Sequence, residues 1–352
     1  MKKPRLLTGD TPTGKLHLGH WVGSLENRVA LQDKYDCYFL LANPHAFSTK
    51  ADKPQAIHDS VLDIVLDYLA AGIDPKKSCI FLESDIPAIF ELATYFSMII
   101  SYPRLMRNPT IKDEIRDKQL ADQYSMGFLF YPILQVADIL AFRADLVPVG
   151  EDQAAHLELT RETARKFNQL YCGVDAHLKD EDNIKAGGLF PIPEMMLGRT
   201  KKLIGLGAPN AEGTLLKMSK SLNNSILLSD DAETVRKKIM GMYTDPKRLR
   251  ATDPGEVENN PLWIFHDVFT QDKKWVLEAK EKYQAGKIGD VDCKKKLIES
   301  IMTLLEPIQK RRKALLGNED YILSVIREGA EKANMIANKT LQDAKVFIKQ
   351  CY

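Results

Sequence analysis

Thr11-Pro12-Thr13-Gly14-Lys15-Leu16-His17-Leu18-Gly19-His20 is the stretch whose reading decides the fold. The apolar pair Leu6-Leu7 leads into it, and Leu18, Trp21, Val22, Leu25 and Val29 lead out of it at helical spacing. A strand that turns directly into a helix opens an α/β domain. The start of a helix carries unpaired backbone N–H groups and a partial positive charge, which suits phosphate. Gly14 and Gly19 lack a Cβ and so permit close approach to the backbone. His17 and His20 share one helix face. Alone, such a pair also fits two polar surface groups or half of a metal site.

The chain downstream repeats the alternation. Residues 4–10, 36–42, 78–82 and 146–149 read as buried strands, and 17–34, 53–71 and the segment after Gln153 as helices, with Gly72 as a C-cap. This spacing predicts a Rossmann-type, doubly wound parallel sheet with its ligand beyond the carboxyl ends of the strands. Residues 87–130 read as a mostly helical insert, interrupted at Tyr102-Pro103-Arg104. Its apolar residues Phe90, Leu92, Tyr95, Phe96, Met98 and Ile99 fit either core packing or a dimer interface. Within Tyr131-Pro132-Ile133-Leu134-Gln135-Val136-Ala137-Asp138, the acidic Asp138 stands in an apolar run. A buried carboxylate needs a partner, so Asp138 reads as a structural acceptor or as a pocket acceptor for a substrate N–H.

Residues 180–216 are rich in Gly and Pro, with a short apolar piece at Leu203-Ile204. Gly205-Leu206-Gly207 lacks the third glycine of a dinucleotide fingerprint. From Asp230 the strand signals stop and helical patterns take over. The expected organisation is a catalytic domain at 1–205 with the insert at 87–130, a mobile loop and linker at 206–229, and an all-helical domain at 230–352. Basic clusters in that last part, Arg236-Lys237-Lys238, Lys294-Lys295-Lys296 and Lys310-Arg311-Arg312-Lys313, suggest RNA contact or simply solvated helix faces.

Composition narrows the function classes. The 352 residues are 44% hydrophobic and 28% charged, with a net charge of +1, so any nucleic-acid contact must come from local patches. No run approaches the roughly 20 apolar residues of a membrane span, and Met1–Arg5 does not read as a secretory signal. The five cysteines are scattered without a C-x-x-C, which points to neither disulfides nor zinc. The expected compartment is the cytoplasm.

The deciding second stretch is Lys217-Met218-Ser219-Lys220-Ser221. Together with the earlier H-x-G-H turn, in that order and separation, it resembles the signature pair of class I aminoacyl-tRNA synthetases. Val147-Pro148-Val149-Gly150-Glu151-Asp152-Gln153, followed by His156-Leu157-Glu158-Leu159-Thr160-Arg161, narrows the resemblance to the tryptophanyl-tRNA synthetases. So do Tyr131-Pro132, Ala137-Asp138-Ile139-Leu140 and Glu328-Gly329-Ala330-Glu331-Lys332-Ala333.

The resemblance implies a Rossmann-type catalytic domain, a helical anticodon-binding domain and a homodimer. It implies ligation of L-tryptophan to tRNA(Trp) through a tryptophanyl-adenylate, with ATP as substrate and Mg²⁺ beside it. By matching motifs, Thr11, Pro12, Thr13, Gly19 and His20 would contact ATP from the turn, and Gly150, Glu151 and Asp152 from the adenosine side. Leu203 would pack near the adenine. Lys217, Met218, Ser219, Lys220 and Ser221 would form a mobile phosphate loop. His17, His20, Lys217 and Lys220 would supply the catalytic donors. Asp138 would accept the indole N–H, with Tyr131, Gln135 and Gln153 around the amino acid.

Three positions depart from the family pattern: His20 where many bacterial members carry Asn, Gln135 where Met is common, and Leu7 where an aromatic is frequent. Gln135 keeps tyrosyl-tRNA synthetase as the alternative. A non-catalytic RNA-binding relative would have no use for both motifs, and nucleotidylyltransferases lack the long helical C-terminal part. Some relatives hold an iron–sulfur cluster in the helical domain. That domain here offers only Cys293 and Cys351, so no cluster is expected.

Overall fold

The computed structural model describes residues 3–117, 124–197, 203–220, 222–250 and 252–352, apart from the side chains of Asp117 and Asp152. Strands β1 (Arg5–Asp10), β2 (Asp36–Leu41), β3 (Ser78–Leu82), β4 (Leu146–Val149) and β5 (Glu194–Leu197) form one parallel sheet in the order β3-β2-β1-β4-β5. Side chains alternate between two cores. Leu6, Cys37, Phe39 and Leu41 face one; Leu7, Tyr38 and Leu40 face the other. Helices cover both faces, which is why the strands read as unbroken apolar runs. The strand order reverses between β1 and β4, and a crevice opens there at the carboxyl edge.

The helix after β1 starts at Leu18–His20, passes through a π-helical turn at Trp21–Leu25 and continues as Glu26–Leu31. Helix Pro54–Ala71 ends on Gly72 at φ 111°, the left-handed conformation that favours glycine at a C-cap. The insert holds helices Pro87–Ile99, Tyr102–Met106 and Pro109–Asp117. Pro103 sits in the first turn of the second of these, where its missing N–H costs nothing. Leu92 and Phe96, offered above as interface candidates, are fully buried core residues, whereas Met98 and Tyr102 are 76% and 62% exposed.

Two elements escaped the sequence reading. One is helix Asn43–Lys50, with Pro44 in its first turn. The other is β5, a short strand on the sheet's edge that pairs only with β4. Leu203-Ile204 is not a sheet strand; Ile204 makes an isolated bridge with Lys217.

The shift at Asp230 changes the secondary structure but does not break the core. Helices Ala232–Met240, Pro261–Phe269, Lys273–Gln284, Asp290–Leu315 and Glu319–Phe347 follow. Leu297, Ile301 and Leu305 share a core with Leu6 and Phe39. The last helix returns to the edge strand β3. Cys79 Sγ donates to the Gly329 carbonyl at 3.0 Å, and Arg143–Asp343 and Lys345–Glu91 pairs close at 2.6 and 2.7 Å.

The packing takes single members of two of the basic clusters into the interior. Arg312 is buried and paired with Asp63 and Asp67 at 2.9 and 2.8 Å, and Arg311 Nε donates to the Ala70 carbonyl. Lys294 is 4% exposed, with Nζ on the carbonyls of Met240 and Met242. Arg312 and Lys294 thus tie helices together, whereas Lys295, Lys310, Arg311 and Lys313 stay exposed.

A Cβ at Gly329 would lie 1.8 Å from the Ile80 carbonyl oxygen, which belongs to rigid sheet backbone. Gly329→Ala should therefore push the last helix off β3 and lower the melting temperature, at a cost of about 1–3 kcal/mol or more. Thermal unfolding checks this, and an unchanged Tm would contradict the close approach.

Candidate functional site

Between β1 and the helix at Leu18 the chain crosses the carboxyl edge of the sheet. Gly14 takes φ 115°, a turn conformation other residues rarely adopt. His17 caps the helix: its Nδ1 accepts the Gly19 N–H at 3.1 Å, and His20 Nδ1 accepts the His17 N–H at 3.1 Å. Both Nδ1 atoms act as acceptors, so each neutral ring carries its proton on Nε2. Burial, with His20, Lys220 and Lys217 nearby, drives the His17 pKa down to about 2. Burial drives His20 down to about 4, against the pull of Asp10. At neutral pH the turn therefore offers neutral N–H donors.

The downstream motif reaches this turn through backbone pairing. Met218 N–H donates to the Leu203 carbonyl at 3.0 Å, and Gly205 N–H to that of Leu216 at 2.9 Å. Asn224 ties the bend: its Oδ1 accepts the Ser219 N–H at 2.7 Å and its Nδ2 donates to the Lys217 carbonyl. The chain then runs antiparallel to the first motif, with Leu18 N–H on the Ile226 carbonyl and Leu228 N–H on that of Leu16, both at 2.9 Å. Lys220 Nζ donates to the Lys15 carbonyl at 3.1 Å. Burial, reinforced by Lys50, lowers the pKa of Lys220.

Both motifs line one cleft of about 560 Å³ at the β1/β4 crevice. Thr11, Thr13, His17, Gly19 and His20 form one side, and Leu203, Lys217, Met218, Ser219 and Lys220 another. Gly150 closes the β4 side, and Gln135, Asp138 and Gln153 form the far end. Pro12, Glu151 and Tyr131 are not on the wall. Pro12 is buried and Glu151 is exposed in the turn Glu151–Gln153. The Tyr131 hydroxyl turns toward His156 Nε2, 3.4 Å away. Ser221 and the Asp152 side chain lie outside the described residues.

The far end is a polar pocket in an apolar shell. Gln135 Nε2 donates to Gln153 Oε1 at 3.1 Å. Asp138 is 2% exposed and its Oδ1 has no hydrogen-bond partner among the described residues. Burial and then the Glu83 charge push its pKa well above the usual carboxylate range. His45 stands between these acids, with Nδ1 2.9 Å from Glu83 Oε2 and Nε2 3.1 Å from the Tyr131 carbonyl. His45, Glu83 and Asp138 bring potential ligand atoms within 4.8 Å of one another. Both ring nitrogens of His45 are already engaged, so the trio is built as a hydrogen-bonded chain more than as a metal cage.

Sequence reasoning missed His45, Asp10 and Arg28 on the wall. Asp10 Oδ2 accepts Arg28 Nη1 at 2.8 Å and the Tyr68 hydroxyl at 2.5 Å. Burial raises the Asp10 pKa, but Arg28 and His20 outweigh it and hold the carboxyl near about 2. An arginine inside the apolar helix face of Leu25 and Val29 was the available signal.

Residues 1–306 match the family model of class I tRNA synthetases (W and Y). The chain is 46% identical over 349 residues to a tryptophan--tRNA ligase of Streptococcus pneumoniae, covering 98% of this chain and 97% of that one. It is 43% identical to one of Chlamydia caviae, covering 97% and 94%. A solved tryptophanyl-tRNA synthetase of Campylobacter jejuni, complexed with ADP and tryptophan, superposes with a TM-score of 0.79 at 29% identity, covering 98% and 99%. A tyrosyl-tRNA synthetase of Archaeoglobus fulgidus shares the fold at 22% identity and a TM-score of 0.63, covering 88% and 90%. With both signature motifs on one cleft and this likeness along almost its whole length, the chain belongs to the class I tRNA synthetases of the tryptophan and tyrosine branch, and within them to the tryptophan--tRNA ligases.

Proposed function

We propose that the chain joins L-tryptophan to tRNA(Trp) in two steps, using ATP. The tryptophan carboxylate attacks the α-phosphorus, forming tryptophanyl-adenylate and releasing pyrophosphate. A 3′-terminal hydroxyl of the tRNA then attacks the activated carbonyl and AMP leaves. The observation that carries this reading is the meeting of His17, His20, Lys217 and Lys220 on the wall that also bears Asp138. The tryptophan relatives, at 43–46% identity, favour tryptophan over tyrosine.

The first step needs no protein nucleophile, because the substrate brings its own. It needs in-line placement and cancellation of charge on the phosphates. The neutral Nε2–H groups of His17 and His20 donate to phosphate oxygens, and Lys217 and Lys220 supply the positive charge. Thr11, Thr13, Gly19 and Gly150 shape the adenosine and phosphate walls, with Leu203 against the base. Met218 and Ser219 carry the lysines as a loop that closes over the triphosphate. Asp10 and Asp138 are the wall's carboxylates among the described residues, and Asp10 is committed to Arg28 and Tyr68. Mg²⁺ accompanying ATP would be held largely by phosphate and water, its usual preference. The exposed Met98 and Tyr102 suit a homodimer contact, and the site of action is the cytoplasm.

Asp138 Oδ1, buried without a partner among the described residues, receives the indole N–H, while Gln135 and Gln153 hold the ammonium end. In amino-acid-dependent ATP–pyrophosphate exchange across the twenty amino acids, tryptophan alone should support rapid turnover. Asp138→Ala should raise the tryptophan KM about 10- to 100-fold, the loss of one buried hydrogen bond, with the ATP KM nearly unchanged. An unaltered tryptophan KM would remove Asp138 from the pocket.

Lys220→Ala should slow adenylation by about 10²–10³-fold, as loss of a preorganised donor does, and leave tryptophan affinity intact. Equal losses in rate and affinity would contradict a role confined to the transition state.

Because His20 sits at a pKa of about 4 when folded against 6.5 unfolded, only the unfolded chain binds its proton between those values. Its contribution to stability is complete above about pH 6.5 and falls away as pH drops toward 4. The Tm should therefore decline on acidification from about pH 6.5. Exchange kcat/KM for ATP should show no histidine inflection between about pH 6 and 8. His20→Asn, which keeps a neutral N–H donor, should retain more activity than His20→Ala. An inflection near pH 6.5 that disappears in His20→Asn would show that the cation is the working form.

A further inference from the structure

We infer that Asp67 is a positioning residue for the adenylation step: its carboxylate, anchored by Arg312, orients the Lys15–Leu16 peptide on which Lys220 docks. The inference rests on the reading of this cleft as the ATP site.

The geometry is a chain of contacts. Asp67 is fully buried on helix Pro54–Ala71. Its Oδ2 accepts the Leu16 N–H at 3.0 Å and its Oδ1 accepts Arg312 Nε at 2.8 Å. Lys220 Nζ donates to the Lys15 carbonyl at 3.1 Å. The Leu16 N–H and the Lys15 C=O belong to one peptide group, which is planar and trans. Its two dipolar ends point in opposite directions. Holding the N–H in the protein interior therefore aims the C=O outward, toward Lys220. A hydrogen bond at one end also polarises the other, which strengthens the acceptor offered to the lysine.

Packing alone does not explain an aspartate here. Ile64, Val65, Tyr68 and Leu69 around it are core residues, and a leucine would bury more easily. Buried ion pairs add little net stability over apolar replacements, but they fix geometry. Arg312 comes from helix Asp290–Leu315, and its Nη2 also reaches Asp63 at 2.9 Å. The C-terminal helices therefore set the orientation of a peptide in the catalytic turn.

Asp67→Asn tests this against Asp63→Asn. The amide introduced by Asp67→Asn presents one acceptor and one donor, so either Leu16 N–H or Arg312 meets a donor and one contact is lost. Asp63→Asn weakens only the Nη2 contact of the same guanidinium and leaves its Nε on Asp67 and the Leu16 N–H untouched. We expect Asp67→Asn to slow ATP–pyrophosphate exchange about 10- to 100-fold, the scale of a small misplacement, with tryptophan KM within about twofold. Asp63→Asn should leave the rate near wild type while lowering Tm to a similar degree. Asp67→Asn combined with Lys220→Ala should be no slower than Lys220→Ala alone, because one residue acts through the other. Equal rate losses in the two single variants, or additive losses in the double variant, would overturn the proposal. If Lys220→Ala leaves exchange intact, the ATP reading fails on its own. Amide hydrogen exchange at Leu16 then decides the positioning claim: faster in Asp67→Asn supports it, unchanged overturns it.

Discussion

The antiparallel pairing of Leu16–Leu18 with Ile226–Leu228 is the constraint on which the site depends. Each of its two backbone hydrogen bonds contributes only about 0.5–1.5 kcal/mol net. Their strength lies in what surrounds them. Leu16, Leu18, Ile226 and Leu228 are all buried, and burying each such side chain stabilises by about 1.5–3 kcal/mol. The pairing is therefore a piece of core that happens to be two strands of backbone. It also fixes register: a one-residue slip would turn these leucines to solvent and carry Lys217 and Lys220 away from the turn. Closing the long intervening chain costs entropy that grows only slowly with length, so a handful of buried contacts suffices.

Once the two segments meet, the electrostatics follow from burial. Desolvation strips the charge from His17 and His20, which would otherwise repel Lys217 and Lys220 at close range. The cleft thus places positive charge on Lys217 and Lys220 and keeps the histidine turn neutral. A lysine ammonium has three donors; the Lys15 carbonyl engages one in the contact to Lys220. Asp10 is the nearby carboxylate that would compete for those lysines, but Arg28 and Tyr68 hold its Oδ2. A triphosphate bound as proposed would face an Asp10 whose Oδ2 is already satisfied.

Much of this was legible in the sequence, and the reasons for the rest are specific. Strands β1 to β4 announced themselves because both faces are covered and the apolar runs are continuous. β5 did not, since Glu194–Leu197 is a short edge strand with Glu194, Met195 and Leu197 exposed. The two signature motifs marked the cleft, but nothing local in Lys310–Lys313 reveals that Arg312 is buried against a distant helix. An acidic residue within an apolar helical run was the clue that singled out Asp138. The same clue stood at Asp67, between Leu66 and Tyr68, and at Arg28, between Leu25 and Val29. Pattern along one helix shows that a charge is out of place; it does not show what satisfies it, because the partner is hundreds of residues or a whole strand away.

The amino-acid end of the cleft illustrates how such a partner can be the substrate. Glu83 and Asp138 are both buried, and each keeps one oxygen without a hydrogen bond among the described residues. Burial and then the Glu83 charge raise the Asp138 pKa, and His45 links the two without supplying a donor to Asp138 Oδ1. With tryptophan as the proposed substrate, an indole N–H suits that oxygen well: it donates and has nothing to accept with. A phenol hydroxyl also brings acceptor lone pairs, which this cluster of carboxyl oxygens matches less well. On the proposed reading, the buried Asp138 acceptor would favour tryptophan over tyrosine on a fold that both enzyme types share.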